Sequence, residues 1–260
     1  MNADCWAHLR GLTAARIALG RAGGSLPTAE LLRFSLDHAL ARDAVHAALD
    51  FEPLSNAISK DVVRVMTRVS DRTEYVKRPD LGRRLRDDSR ETLSKMRCNE
   101  GFDLSVVITD GLSATAVQQH AAKLLDLLIS RLQQVKLKIA PIVFAQFGRV
   151  ALQDEIGSLL NARCSVILIG ERPGLGAPDS LGAYLVFNPG LGNTDANRNC
   201  VSNIRPSGLP LESAASTLEY LITQSLARQI SGIQLKDDRI LSYHGLPARA
   251  SELETRAGSP

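Results

Sequence analysis

Three short stretches hold residue types that could do chemistry together. They are Asp110-Gly111-Leu112-Ser113, Gly148-Arg149-Val150 and Gly170-Glu171-Arg172-Pro173-Gly174-Leu175-Gly176. Each follows an apolar run, and a glycine beside a charged residue lets backbone approach a ligand closely. Asp110, Arg149 and Glu171 would then face one cleft, two acceptors and a donor able to hold a polar ligand. Each also has a plainer reading. Asp110 before glycine suits a turn or a helix cap. Glu171-Arg172 suits an exposed pair of little energetic weight. A fourth stretch, residues 193–206, is polar and contains Cys200. A loop of that length in a compact domain is usually functional or disordered. Cys200 taken alone reads either as a buried thiol or as a contact.

Other constellations are weaker. His38 and His46 would share one face of a helix with Asp43 nearby, which suits helix-surface contacts better than a metal. Cys5, Cys98, Cys164 and Cys200 lack a C-x-x-C spacing and a neighbouring histidine, so free thiols are expected rather than zinc. Arg16 and Arg21, beside Gly20, Gly23 and Gly24, could grip an anion or be solvated. The phosphate-binding loop, the three-glycine dinucleotide fingerprint and the G-x-S-x-G elbow are absent. With no triad or carboxylate dyad either, no catalytic residue and no metal ligand is assigned.

The elements that must position these residues follow from periodicity. Residues 104–109, 141–147, 165–169 and 183–187 are short apolar runs rich in β-branched side chains, and read as strands. Residues 114–132, 153–160 and 210–229 read as helices between or after them. Alternation of this kind implies an α/β fold: a Rossmann-like, mostly parallel sheet flanked by helices, whose ligands sit beyond the carboxyl ends of its strands. A helical N-terminal region precedes it. Leu31, Leu32, Leu36, Ala39, Leu40, Ala44 and Val45 recur at helical spacing, and predict an amphipathic helix from near Thr28 to about Leu49, capped by Thr28 or Ser25. Val62, Val65, Met66 and Val69 suggest one more helical stripe. The expected divisions are 1–100, helical, arginine-rich and carrying subunit contacts; 101–247, the Rossmann-like domain; and 248–260, a polar tail.

Composition and charge exclude several classes. The 260 residues are 44% hydrophobic and 23% charged, a balance that argues against disorder or a disulfide scaffold. Neither a secretory leader nor an 18-residue apolar span is present, so a soluble intracellular protein is expected. The net charge of +3 lies wholly in residues 1–100, which hold 17 basic and 14 acidic groups, against 14 of each in the remainder. Acids interleave with those arginines and aromatics make up only 4%. A nucleic-acid surface is therefore disfavoured. Arginine in excess over lysine is better matched to a protein interface.

Taken in order, these segments resemble the small (light) subunit of ethanolamine ammonia-lyase. The resemblance is carried by Arg16-Ile17-Ala18-Leu19-Gly20-Arg21-Ala22-Gly23-Gly24, by Leu36-Asp37-His38-Ala39-Leu40-Ala41-Arg42-Asp43, and by Thr109-Asp110-Gly111-Leu112-Ser113. Gly148-Arg149-Val150 with Asp154-Glu155-Ile156-Gly157, Gly170-Glu171-Arg172-Pro173-Gly174, Thr194-Asp195-Ala196 and Val201-Ser202-Asn203-Ile204-Arg205 continue it. It runs from about residue 16 to residue 232; residues 51–100 and those after 236 are the variable parts. What it implies is an adenosylcobalamin-dependent conversion of ethanolamine to acetaldehyde and ammonia. Ethanolamine and catalysis would belong to a TIM-barrel large subunit. This chain would cover the cofactor through Val150, Glu171 and Cys200, and be inactive alone. No histidine of this chain is expected to ligate cobalt, since D-x-H-x-x-G is absent. The implied location is the cytoplasm, free or within a bacterial microcompartment, with neither nucleic acid nor membrane as a partner. From the residues alone, a stand-alone Rossmann-like binding module for a small ligand or nucleotide is the alternative.

Overall fold

The computed structural model describes residues 6–13 and 15–239. The expected tail at 248–260 and Cys5 lie outside them. The chain builds one six-stranded sheet, β1 (Val62–Met66), β2 (Phe102–Thr109), β3 (Ile142–Gln146), β4 (Ala162–Gly170), β5 (Leu181–Phe187) and β6 (Arg198–Ile204), in the order β1-β3-β2-β4-β5-β6. The first four strands in that order are parallel, and β5 and β6 continue the sheet antiparallel.

Side-chain alternation along β2 explains why it lies at the centre. Leu104, Val106 and Ile108 point to one face, where they meet Leu124, Leu125 and Leu128 of helix α5 (Ala114–Leu132), and Leu218 and Ile222 of helix α7 (Leu211–Arg228). Val107 points to the other, against Ile167 and Ile169 of β4 and Leu152 and Ile156 of helix α6 (Leu152–Leu160). Removing each such side chain from water contributes about 1.5–3 kcal/mol. Both faces of the sheet are covered, which is why its inner strands read as continuous apolar runs.

Three expectations are corrected here. The stripe Val62, Val65, Met66 and Val69 is not a helix. Val62–Met66 is β1, paired in parallel register from Val62 with Ile142 to Met66 with Gln146. A run this short fits either period, and pairing with β3 decides it. The sheet thus takes an edge strand from the segment expected to be helical. Around it lie the short helices α2 (Phe51–Asn56), α3 (Arg72–Lys77) and α4 (Asp87–Lys95).

Residues 193–206 are not a long loop. After a turn of 3-10 helix at Asp195–Asn197, they form β6 on the sheet edge. Its exposure explains the misreading: only Arg198, Val201 and Ile204 are buried, and polar side chains or Cys200 fill the positions between them.

Helix α1 (Thr28–His46) forms close to where it is expected, but its apolar stripe is not buried. Leu32 is 64% exposed and Leu36 59%; Ala44 is its single buried residue. Its N-cap is Pro27, with no side-chain cap bond from Thr28 or Ser25. No helix among the described residues is long and apolar enough to cross a membrane.

Candidate functional site

The strand order places β3 and β4 on opposite sides of β2, so the chain changes winding direction there. Ligands of open α/β sheets bind at such a point, beyond the strand ends. A groove of about 390 Å³ opens at this place, lined by Leu112 after β2, Arg149 and Val150 after β3, and Ile169, Gly170, Glu171 and Arg172 at and after β4. Tyr75 of α3 and Tyr184 of β5 complete it.

Two glycines make this convergence possible. Gly170 packs against the turn after β2; a Cβ on it would stand 2.0 Å from the Ser113 carbonyl oxygen. Gly111 has φ +55, and a Cβ there would meet the Gly170 carbonyl oxygen at 2.3 Å. The two loops therefore touch backbone to backbone, and Leu112 N–H donates to that same oxygen at 2.9 Å.

Glu171 does not pair with Arg172. Its Oε2 accepts from the Ser180 hydroxyl at 2.5 Å and from the Asn203 N–H at 3.3 Å. Residues 171–180 close on themselves, since Glu171 N–H donates to the Ser180 carbonyl at 2.9 Å. Ser113 Oγ holds the Pro178 carbonyl at 2.8 Å and Arg205 holds that of Gly176 at 3.0 Å. The carboxylate thus stands on a braced loop, with Oε2 engaged and Oε1 without a hydrogen bond among the described residues.

Val150 lies beside Arg149, whose guanidinium stacks 3.9 Å from the centre of the Tyr75 ring and donates to the Tyr75 carbonyl at 2.7 Å. Tyr75 is fully buried and donates its hydroxyl to the Gly148 carbonyl at 3.0 Å. Burial pushes its phenol well above the ordinary range.

Asp110 is not in the groove. Its carboxylate lies beneath the floor, accepting from the Phe147 N–H at 2.7 Å and pairing with Arg72 at 3.0 Å. Burial, opposed by Arg72, raises its pKa to about 6. Asp110 ties the loops after β2 and β3 to α3, and the helix cap is Ser113, which accepts from Ala116 N–H at 3.2 Å. The expected convergence of Asp110, Arg149 and Glu171 thus holds for the last two.

Cys200 sits on β6, directly across from Tyr184 of β5. It does not line the groove. It adjoins it through Tyr184, which lines the groove. The residue is exposed, but its sulfur is partly covered, and that covering pushes the thiol above its usual range. Val150 and Glu171 are therefore brought together, and Cys200 stands one strand further out.

The remaining candidates lie away from this groove. His38 is exposed and stacks loosely on Phe34, and His46 is exposed at the helix end. Arg16 pairs with Asp37 and lies over Phe34. Among the described residues, no three acids, histidines or cysteines gather as a metal site. Sequence reasoning missed Tyr75 and Tyr184 as groove residues. Tyr75 was the detectable one, the single aromatic among the arginines of residues 61–100.

With the geometry set out, likeness to known proteins decides the family. Residues 3–236 match the family described as "Ethanolamine ammonia-lyase light chain (EutC)". The chain belongs to that family. Among its relatives, the "Ethanolamine ammonia-lyase small subunit" of Azotobacter vinelandii is 52% identical over 240 residues, covering 90% of this chain and 88% of the relative. The protein of the same name from Rhodopseudomonas palustris is 51% identical over 236 residues, 90% of each chain. That from Xanthomonas campestris is 50% identical over 240 residues, covering 90% and 88%. As a light-chain family member the protein is a lyase subunit, and it contains the six-stranded sheet and groove described above.

Proposed function

We propose that this chain is the small subunit of an adenosylcobalamin-dependent ethanolamine ammonia-lyase, and that the groove at the carboxyl ends of β2, β3 and β4 covers the edge of the cofactor. The observation that carries the proposal is the meeting of Val150 and Glu171 in one groove of a family member. The lining fits the group. Val150, Leu112 and Ile169 offer an apolar wall, and Glu171 offers an acceptor held in a fixed position by Ser180 and Asn203. A corrin has a broad apolar face rimmed by carboxamides, so a wall with polar groups at its margin suits its edge. Cys200, behind Tyr184, would support the outer margin of the contact.

When bound, the cofactor supplies radical chemistry through cleavage of its cobalt–carbon bond. This chain's residues bind and shield; they move no proton and break no bond. Ethanolamine is assigned to a TIM-barrel large subunit, and no histidine of this chain to the cobalt. Residues 1–100 would carry subunit contacts. Support for that comes from α1, whose Leu31, Leu32, Leu36 and Leu40 are all exposed. The arginines of that region divide. Arg72 is held internally by Asp110 and the half-exposed Arg90 is tied down by the buried Glu155, whereas Arg33 and Arg42 stand out from α1 in water. The expected location is the cytoplasm, free or enclosed in a bacterial microcompartment.

The test is co-expression of this chain with the large subunit, followed by assay of ammonia release from ethanolamine with and without adenosylcobalamin. The pair should be active with the cofactor and each chain inactive alone. Activity of the lone chain, or of the pair without cofactor, would refute the proposal.

A further inference from the structure

The guanidinium of Arg149 has fewer partners than its position demands. It carries five N–H donors. Nη2 donates to the Tyr75 carbonyl at 2.7 Å, yet Nε is shut from water with no acceptor, and Nη1 has none among the described residues. Nε, being shut from water, is also out of a ligand's reach, so Nη1 is the nitrogen that could serve one. The side chain is not loose. The guanidinium lies 3.9 Å from the Tyr75 ring centre, and the Arg149 N–H is fixed to the Gly82 carbonyl at 2.8 Å. A Cβ at Gly82 would stand 2.9 Å from Arg149 Cγ, so the side chain's stem is confined as well. This is a preset donor on the wall of the same groove that holds Glu171.

We infer that Arg149 is a further cofactor-binding residue, and that Arg149 and Glu171 together form a clamp for one primary carboxamide on the cofactor's rim. The inference rests on the reading of the groove as a cobalamin site. A primary carboxamide has a carbonyl that accepts and an NH₂ that donates. Arg149 supplies the donor that the carbonyl needs, and Glu171 Oε1 the acceptor that the NH₂ needs. Either group alone would bind an amide no better than a charged competitor. Together they carry opposite charges and fit a neutral group of both characters, which gives selectivity as well as attraction. Tyr75 is a positioning residue in this scheme, since it fixes the plane of the guanidinium.

The experiment uses the complex of this chain with its large subunit. The ligands are hydroxocobalamin and its monocarboxylic acid derivatives, each with one rim carboxamide hydrolysed, and binding is read by equilibrium dialysis. Arg149→Met should weaken hydroxocobalamin about tenfold, the loss expected for a charge-assisted hydrogen bond. It should weaken the acid derivative altered at the clamped position by about a further tenfold, because Glu171 then faces a carboxylate unopposed. Glu171→Gln should shift the preference the other way, toward that acid. A merely structural arginine would not change the amide-to-acid ratio. Should Arg149→Met fail to assemble, Arg149→Lys decides: it keeps the charge but loses the planar fork, and should weaken the amide several-fold while retaining the acid. Unchanged affinity and ratio in the Arg149 variants, with altered values in Glu171→Gln, would overturn the clamp and leave the groove's function standing. No change in either set, or in Val150→Asp, would overturn both.

Discussion

Glu171 lies directly over Gly182. A Cβ at position 182 would stand 2.8 Å from Glu171 Oε1 and 3.0 Å from its Cγ. The groove's acceptor therefore depends on a residue of the next strand that has no side chain. Gly182 itself pairs with Ile169 on β4 and is buried in the sheet.

That relationship separates binding from stability. In Gly182→Ala the new methyl meets the far end of a flexible side chain, and Glu171 can swing away. Folding stability should change by less than about 1 kcal/mol, measured by urea denaturation. Cobalamin affinity of the assembled complex should fall about tenfold, as the carboxylate leaves its braced position. A destabilised fold with normal affinity would contradict the geometry.

Gly170→Ala should behave in the opposite way. There the new Cβ would meet the backbone oxygens of Ser113 at 2.0 Å and Asp110 at 2.5 Å, and backbone cannot swing aside. The two loops would have to separate. The expected loss is about 3 kcal/mol or more, or failure to accumulate folded protein, read by denaturant midpoint and soluble yield.

Asp110 should make a signed contribution to pH dependence. Its pKa rises from 3.8 to about 6 on folding, because burial outweighs Arg72. The folded state then binds more protons than the unfolded state between those values, so this group lowers stability as pH climbs through that window. Above about pH 6 its contribution is level. The stability of wild type relative to Asp110→Asn should therefore fall from pH 4 to pH 6, and carbon-13 NMR of the Asp110 carboxyl should titrate near 6. A carboxyl titrating below 4 would contradict this assignment.

Helix α1 should tolerate charge in the isolated chain and not in the complex. Leu32 is 64% and Leu36 59% exposed. Leu32→Glu with Leu36→Glu should leave the lone chain's stability within about 0.5 kcal/mol. Association with the large subunit should weaken at least tenfold, read by size-exclusion chromatography and titration, because contacts at an interface core resist charge. Intact association with a destabilised chain would show that the stripe packs against its own fold.

Much was legible in the residues themselves. The apolar β-branched runs at β2, β3 and β4 read as strands because buried parallel strands need such side chains on both faces. The glycines beside Asp110, Arg149 and Glu171 marked the loops that meet, because close backbone approach leaves no room for a Cβ. Ordered motifs carried the family, since spacing along the chain survives where contacts cannot be seen. Other features depended on partners distant in sequence. Val62–Met66 fits two periods, and only its pairing with β3 made it a strand. Residues 198–204 read as polar loop until β5 gave them an edge to join. Asp110 and Glu171 looked alike, each an acid beside a glycine after a strand. Burial under Arg72 turned one into a brace, and support from Ser180 over Gly182 left the other lining the groove. Local sequence determined which segments became strands, helices and turns, because those preferences act within a few residues. Which charge faces the groove was decided by tertiary packing, because desolvation and hydrogen-bond partners come from chain that is far away until it folds.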